Sequence, residues 1–354
     1  AVAQTRRLHF AKRLLDETNL PITEIALAAG FRSVRRFNTA FLSTYRRSPR
    51  ELRAKHRRKS ATNDRDEVVL RIAFRPPYDW RHMQGFLAAR AIPGVERVDA
   101  RGYARTLACG ASHAIVLVRP SDSENVLELR VRGATPSALY PISSTARRMF
   151  DLGADPRGIV QAFKGDSLLA PLVHQRPGLR IPGVWDPFEC AVRAVVGQQI
   201  SVAAGRTMVA RLVTRLGQPV CDGADGLTRL FPSADRIASA DLDGLGFTSA
   251  RKQTLQTLAQ SVAGGLNLAG PSEEVIPGLT ALPGIGAWTA QYIALRALGE
   301  PDAFPGADLI LRRVASGNGV ALTARELEER AEAWRPWRAY ATLHLWRAAS
   351  DATR

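Results

Sequence analysis

Residues 282–308 read LPGIGAWTAQYIALRALGEPDAFPGAD, and the way this stretch folds decides what the rest of the chain surrounds. Pro283 locks its own φ and lacks an N–H, while Gly284 and Gly286 carry no Cβ and tolerate positive φ, so Leu282 to Gly286 spells a tight backbone turn. A helix is expected over residues 286–297. Its first amides sit at the positive end of a helix dipole, where a phosphate oxygen fits; Leu282, Gly284 and Gly286 are the candidate phosphate contacts. Trp288 and Tyr292 are four residues apart and share one face of that helix. Asp308 stands alone before a second helical run over residues 309–317. By itself the stretch has two meanings. One is a plain helix–helix turn with core aromatics and an N-capping Asp308; the other is a phosphate cradle, an aromatic wall and a working carboxylate.

Helical periodicity flanks this stretch on both sides, with runs expected over residues 144–152, 187–197, 201–216, 249–263, 323–333 and 337–349 and turns at Gly217-Gln218-Pro219 and Asn318-Gly319. Upstream the texture differs. Residues 68–74, 95–100, 103–109, 114–118 and 126–131 are short β-type runs separated by Pro, Gly, Asp and Ser, with one helix over 80–91. Five strands and a helix make a small antiparallel α+β domain without a triad, metal spacing or phosphate loop of its own.

Residues 1–56 read as helices. Leu8, Ala11, Leu14 and Leu15 recur at helical spacing, Asn19-Leu20-Pro21 breaks the run, and a second helix over 22–29 has Thr23 as candidate N-cap and Gly30 as its stop. A third, over 33–45, carries Phe37 and Phe41 on one face and Arg35, Arg36 and Asn38 among its polar residues. This is helix-turn-helix geometry, with Arg32, Ser33, Arg35, Arg36 and Asn38 as candidate DNA contacts; a three-helix packing unit would share the spacing. KHRRKSATNDRD at 55–66 lacks apolar periodicity and reads as a linker. The expected division is 1–56 helix-turn-helix, 57–66 linker, 67–141 α+β domain and 142–354 helical domain.

Composition narrows the function classes. The formal charge is +16, and residues 1–60 hold 15 Lys and Arg against four Asp and Glu, a local excess that suits a polyanion. No apolar run approaches the roughly 20 residues that span a bilayer, and AVAQTRRLHFAKRLL at the start has charges where a secretion signal needs an apolar core. Cys109, Cys190 and Cys221 are far apart and show no C-x-x-C spacing, so no local zinc site or iron–sulfur cluster is expected, and a reduced, cytoplasmic setting is. The chain opens without Met and inside an expected element, as a fragment or processed product would.

PGIG followed by Ala287-Trp288-Thr289-Ala290, with Asp308 twenty residues beyond Trp288, resembles the helix-hairpin-helix DNA glycosylase superfamily. Within it, WDPFECAVRAVVGQQISVAAGRTMVARLV at 185–213 and RPWRAYATLHLW at 335–346 are similar to AlkA-type 3-methyladenine DNA glycosylases, and the likeness runs from about residue 68 to the C-terminus. Residues 4–53 separately resemble the second helix-turn-helix of AraC-type regulators, the pairing seen in Ada/AlkA-type fusion proteins.

The resemblance implies a multidomain, mainly α fold with an α+β part. It implies a cofactor- and metal-independent enzyme that flips an alkylated purine out of double-stranded DNA and releases it, with Asp308 as catalytic carboxylate and Trp288, Tyr292 and Trp346 as base pocket. The turn Gln198-Gln199-Ile200 would fill the gap left by the flipped nucleotide, with Gln199 where some members have Leu. Trp288 stands where strand-cutting relatives place a Schiff-base lysine, so base hydrolysis alone is expected. Arg312 and Arg313 are further phosphate candidates. A monomer in the nucleoid is expected. The alternative is a regulator of the alkylation response that uses the glycosylase-like domain to bind damage. Only one helix-turn-helix is present and no cysteine precedes Cys109, so methyl transfer to this chain is not expected.

Overall fold

Leu8, Ala11, Leu14 and Leu15 form the buried stripe of α1 (Val2–Glu17), as the periodicity requires. In this computed structural model residues 2–18, 20–56, 67–110, 112–122, 124–221, 225–317 and 320–352 are described. The expected linker at 57–66 and the Asn318-Gly319 turn lie outside them. α2 (Ile22–Ala28) starts after Pro21, which supplies no side-chain cap. Thr23 is therefore inside the helix and not its N-cap: the fixed φ of Pro21 sets the start instead. α2 ends in a Schellman-type closure, with Gly30 at φ +78° and the Phe31 amide donating to Ala26 at 2.9 Å.

Ser33 caps α3 (Val34–Tyr45) by accepting the Arg36 amide at 3.4 Å. Phe37, Phe41 and Tyr45 on one face of α3, with Phe31 ahead of it, form a chain of edge-on and tilted ring contacts, with centroids 5.3, 5.4 and 4.6 Å apart. A fourth helix, α4 (Pro49–His56), packs on α1.

The strands β1 (Glu67–Ala73), β2 (Glu96–Asp99), β3 (Gly102–Cys109), β4 (Ser112–Pro120) and β5 (Val126–Arg132) form one sheet in the order β1-β5-β4-β3-β2. The pairings of β1 with β5, β5 with β4 and β4 with β3 are antiparallel, with Leu70 opposite Leu129, Val116 opposite Val131 and Tyr103 opposite Val118. Alternate residues are buried, Leu70 and Ile72 on β1 and Leu127, Leu129 and Val131 on β5, as the alternating side-chain directions of a strand require. Between β1 and β2 runs α5 (Trp80–Ala88), with Asp79 as N-cap. α6 (Leu139–Met149) follows β5, and Tyr140 meets Phe10 edge-on at 5.2 Å.

The chain divides into two compact units, Ala1–Ala73 with Val98–Arg147, and Phe74–Arg97 with Arg148–Arg354. The second is helical: α7 (Pro156–Phe163), α8 (Leu169–Gln175), α9 (Pro187–Val196), α10 (Val202–Leu216), α11 (Ala234–Ala238), α12 (Ser249–Ala263), α13 (Ser272–Thr280), α14 (Ala287–Ile293), α15 (Leu309–Ser316), α16 (Ala324–Ala331) and α17 (Arg338–Ala352). One core gathers α9, α10 and α12 around Val192, Val195, Leu212 and Leu255. Another gathers α7, α8 and α15–α17 around Trp334, whose indole N–H donates to Asp166 at 2.6 Å. Ala290 and Ile293 enter the first core and Ala294 and Leu295 the second, so the helix that begins at the PGIG turn is the wall shared by both.

Candidate active site

The PGIG turn is held from below. Ile285 is buried in the first core and Leu282 packs against it, while Pro283, Gly284 and Gly286 stay exposed. Gly284 has φ +86°, and a Cβ on it would fall 2.0 Å from Thr254 Oγ1 on α12, so no other residue fits. Of the two glycines that tolerate positive φ, Gly286 does not use it. It is extended, at φ −86° and ψ 175°, serves as N-cap of α14, and a Cβ there would meet nothing within 4 Å. The helix is also shorter than expected: after Ile293 the chain widens into a π segment, Ala294–Leu298, closed by Gly299 at φ +68°.

Trp288 and Tyr292 lie on one face of α14 and stack nearly parallel, with centroids 5.4 Å apart and an interplanar angle of 10°. Trp346 on α17 completes a third side, 6.2 Å from Tyr292 and tilted by 54°. Asp308 is brought to this wall. Its Oδ2 accepts the Trp288 indole N–H at 3.0 Å, and its Oδ1 accepts the amides of Ile310 and Leu311 at 2.9 and 3.0 Å. Asp308 thus N-caps α15 with one oxygen and turns the other to the aromatic wall. A carboxylate oxygen accepts more than one bond, so Oδ2 keeps capacity toward a sugar or a water.

The turn between α9 and α10 approaches from the side. Gln199 is exposed at its tip with φ +58°, in the left-handed region that non-glycine residues seldom occupy. Gln198 faces inward: its Nε2 donates to the Gly284 carbonyl at 3.0 Å and to Thr289 Oγ1 at 3.1 Å. Ile200 is half-buried, close to Gly205.

Sequence reading missed the ring of cations behind the wall. Arg296, 6% exposed, donates to the Tyr292 hydroxyl at 2.7 Å and to the carbonyls of Pro182 and Gly183. Its guanidinium lies 4.6 Å from the centroid of Phe86, and that of Arg90 lies 3.7 Å from the same ring. Burial pulls the Arg90 guanidinium below its ordinary value. The i to i+4 spacing of Tyr292 and Arg296 was the available signal. Of the phosphate candidates, Arg313 is exposed, whereas Arg312 donates to the Leu322 carbonyl. Arg32, Arg35, Arg36 and Asn38 are exposed in the first unit, and Ser33 is occupied as a cap. Burial pushes the Cys190 thiol up to about 11, which makes it an inert core residue. Among the described residues no three His, Cys, Asp or Glu side chains gather as a metal ion would need, and no helix is long and apolar enough to cross a membrane.

Comparison with known proteins agrees with this geometry. Residues 1–55 match a helix-turn-helix domain, residues 69–186 the AlkA N-terminal domain, and residues 192–339 the HhH-GPD superfamily base excision DNA repair proteins. The chain is 40% identical over 351 residues to a probable bifunctional transcriptional activator/DNA repair enzyme AlkA of Mycobacterium tuberculosis, covering 98% of this chain and 70% of that one. It is 35% identical over 279 residues to DNA-3-methyladenine glycosylase 2 of Escherichia coli, covering 77% of this chain and 95% of that one. In fold it is similar to the 3-methyladenine DNA-glycosylase of Archaeoglobus fulgidus, with a TM-score of 0.69 at 23% identity over 79% of this chain and 98% of that one. A hairpin braced under Gly284, an aromatic wall and a capped carboxylate therefore belong to a known class of repair enzyme: the chain is a member of the HhH-GPD superfamily of base excision DNA repair proteins, an AlkA-type DNA glycosylase with an attached helix-turn-helix.

Proposed function

We propose that this glycosylase hydrolyses the N-glycosidic bond of alkylated purines, of the 3-methyladenine and 7-methylguanine type, in double-stranded DNA. The observation that carries the reading is the 3.0 Å contact between Trp288 Nε1 and Asp308 Oδ2, which sets a fixed carboxylate at the edge of an aromatic wall. An alkylated purine carries positive charge, so the faces of Trp288, Tyr292 and Trp346 attract it by cation–π contact as well as stacking. Departure of the base leaves positive charge on the sugar. Asp308 Oδ2 stabilises that oxocarbenium-like state and orients the attacking water, whose proton the carboxylate can take.

The base must first leave the duplex. Gln199 at the tip of its turn enters the gap, and the exposed PGIG backbone from Leu282 to Gly286 grips the strand, with Arg313 as a further phosphate contact. Trp288 offers no amine, so the product is an uncut abasic site. The enzyme is proposed to act as a monomer on the cytoplasmic nucleoid, with helix-turn-helix, α+β and helical parts divided near residues 56, 67 and 141.

Mass analysis of bases released from methylated DNA tests the reading: the wild type should release methylated purines and Asp308→Asn should not. Equal release by both would sink it.

A second reading is favoured by the exposed Arg32, Arg35, Arg36 and Asn38: the chain also acts as an AraC/Ada-type transcription regulator of the alkylation response, with the glycosylase part binding damage. It predicts a footprint at one promoter, and its strict form predicts no abasic sites.

A further inference from the structure

Gln198 and Gln199 are neighbours with opposite surroundings, and the difference separates their work. The Gln198 amide nitrogen faces a carbonyl, Gly284 O, which can only accept, so nitrogen and not oxygen must point there. Its second hydrogen goes to the hydroxyl of Thr289, a residue 3% exposed and next in sequence to Trp288. From the other side Arg251 on α12 donates to the Gln198 carbonyl at 2.6 Å. The same helix carries Thr254, which fills the space under Gly284. One side chain and one carbonyl therefore tie the 197–200 turn to the hairpin, to the helix of the aromatic wall and to α12.

We propose that Gln198 is a positioning residue that acts through Gln199: it holds the tip in its left-handed conformation before DNA arrives and locks the turn and the PGIG hairpin into one body. A non-glycine residue at φ +58° persists only where its surroundings over-determine it, and Gln198 with Arg251 supplies that determination. Gripping the strand at the hairpin then places the tip at a fixed offset from the base pocket. This inference rests on the proposed role of Gln199 in filling the gap, so its experiment separates the two.

Gln198→Met keeps the length and removes the donors; Thr289→Val removes one acceptor and leaves the other. Hydrogen exchange over residues 197–201 in the free protein should speed up in Gln198→Met and stay at the wild-type rate in Gln199→Ala. Single-turnover base release from methylated duplex and 2-aminopurine fluorescence, which reports flipping, should both fall about tenfold in Gln198→Met, within the range expected for the two hydrogen bonds it removes. The loss should be smaller in Thr289→Val. In Gln198→Met/Gln199→Ala it should match Gln199→Ala alone, since a brace has nothing to act on once the tip is gone. Unchanged exchange in Gln198→Met, or losses that multiply in the double variant, would overturn the brace. If Gln199→Ala flips and releases normally, the gap-filling role fails instead, and exchange still decides whether Gln198 sets the turn.

Discussion

Trp288 Nε1 donates to Asp308 Oδ2 across 3.0 Å, so a residue of the aromatic wall also aims the carboxylate. Asp308→Asn tests the consequence. Asparagine keeps an oxygen for the Ile310 and Leu311 amides, so α15 stays capped and the fold stays intact. Its amide nitrogen would face the indole N–H, donor against donor. Base release should fall by about 10³-fold or more, the scale of lost transition-state charge stabilisation, while affinity for DNA measured by fluorescence anisotropy is kept.

Trp288→Phe keeps a ring against Tyr292 but removes the indole donor. A hydrogen bond to a charged group contributes about 1.5–3 kcal/mol, so the single-turnover rate should drop by roughly ten- to a hundredfold. Affinity for a methylated duplex should change much less. An equal loss in both would mean that Trp288 serves only as a stacking surface.

The two glycines of the turn should respond differently. Gly284→Ala places a Cβ 2.0 Å from Thr254 Oγ1 at φ +86°, so it should lower stability in urea by about 1–3 kcal/mol and weaken DNA binding with it. Gly286→Ala meets nothing within 4 Å and has an ordinary φ. Its melting temperature should match the wild type, and if the hairpin grips the strand as proposed, only DNA affinity should fall, because the added Cβ would meet the phosphate.

Acid should destabilise the second unit through two histidines. Burial holds His82 on α5 and His344 on α17 down at about 4 each, with Asp79 and Asp351 opposing and Arg176 and Arg347 reinforcing the shift at His82. Their unfolded value is near 6.5, so the unfolded chain takes up protons first and stability is lost as pH falls from about 7 toward 4. Asp151, raised to about 6 by burial, runs the other way: it favours the folded state below that value, and this is lost as pH rises through 4 to 6. Between pH 7 and 6 the histidines dominate, and stability in urea should fall by about 1 kcal/mol. His82→Asn/His344→Asn should flatten that slope whatever it does to the absolute value.

Arg35→Ala and Arg36→Ala test the helix-turn-helix. If both reach phosphates, each should lower the salt dependence of DNA affinity by about one unit of slope. An equal loss on any duplex marks a general grip, whereas a loss confined to one promoter fragment would favour the regulator.

The sheet, the three helices of residues 2–45 and the long helices α10, α12 and α17 were legible because apolar periodicity and Pro/Gly punctuation agree there. α11 was missed because five residues carry too little period to see, and α13 because Pro277 lies inside it and reads as a stop. α7 had a signal, Asp155 before Pro156, which is an N-cap followed by a first-turn proline. In the site, the carboxylate and the aromatics could be read from a linear motif. The turn of Gln198 could be read in the same way, but its ties to Thr289 and Arg251 could not, because those partners are 91 and 53 residues away and only packing brings them together.

The cap on Asp308 has an evolutionary consequence. Its Oδ1 is fastened to the amides that open α15, so the acid cannot be re-aimed without moving a helix whose Leu311 and Ala315 are buried. Trp346 hangs on a different helix, α17, and can be exchanged or tilted while the acid stays put. A lineage that drifts toward new lesions would therefore rewrite Trp346 first and leave Trp288 and the charge it aims where they are. Under the proposed function, the freedom to acquire new substrates lies on α17, and the acid is held constant by the backbone of α15 and the Trp288 indole.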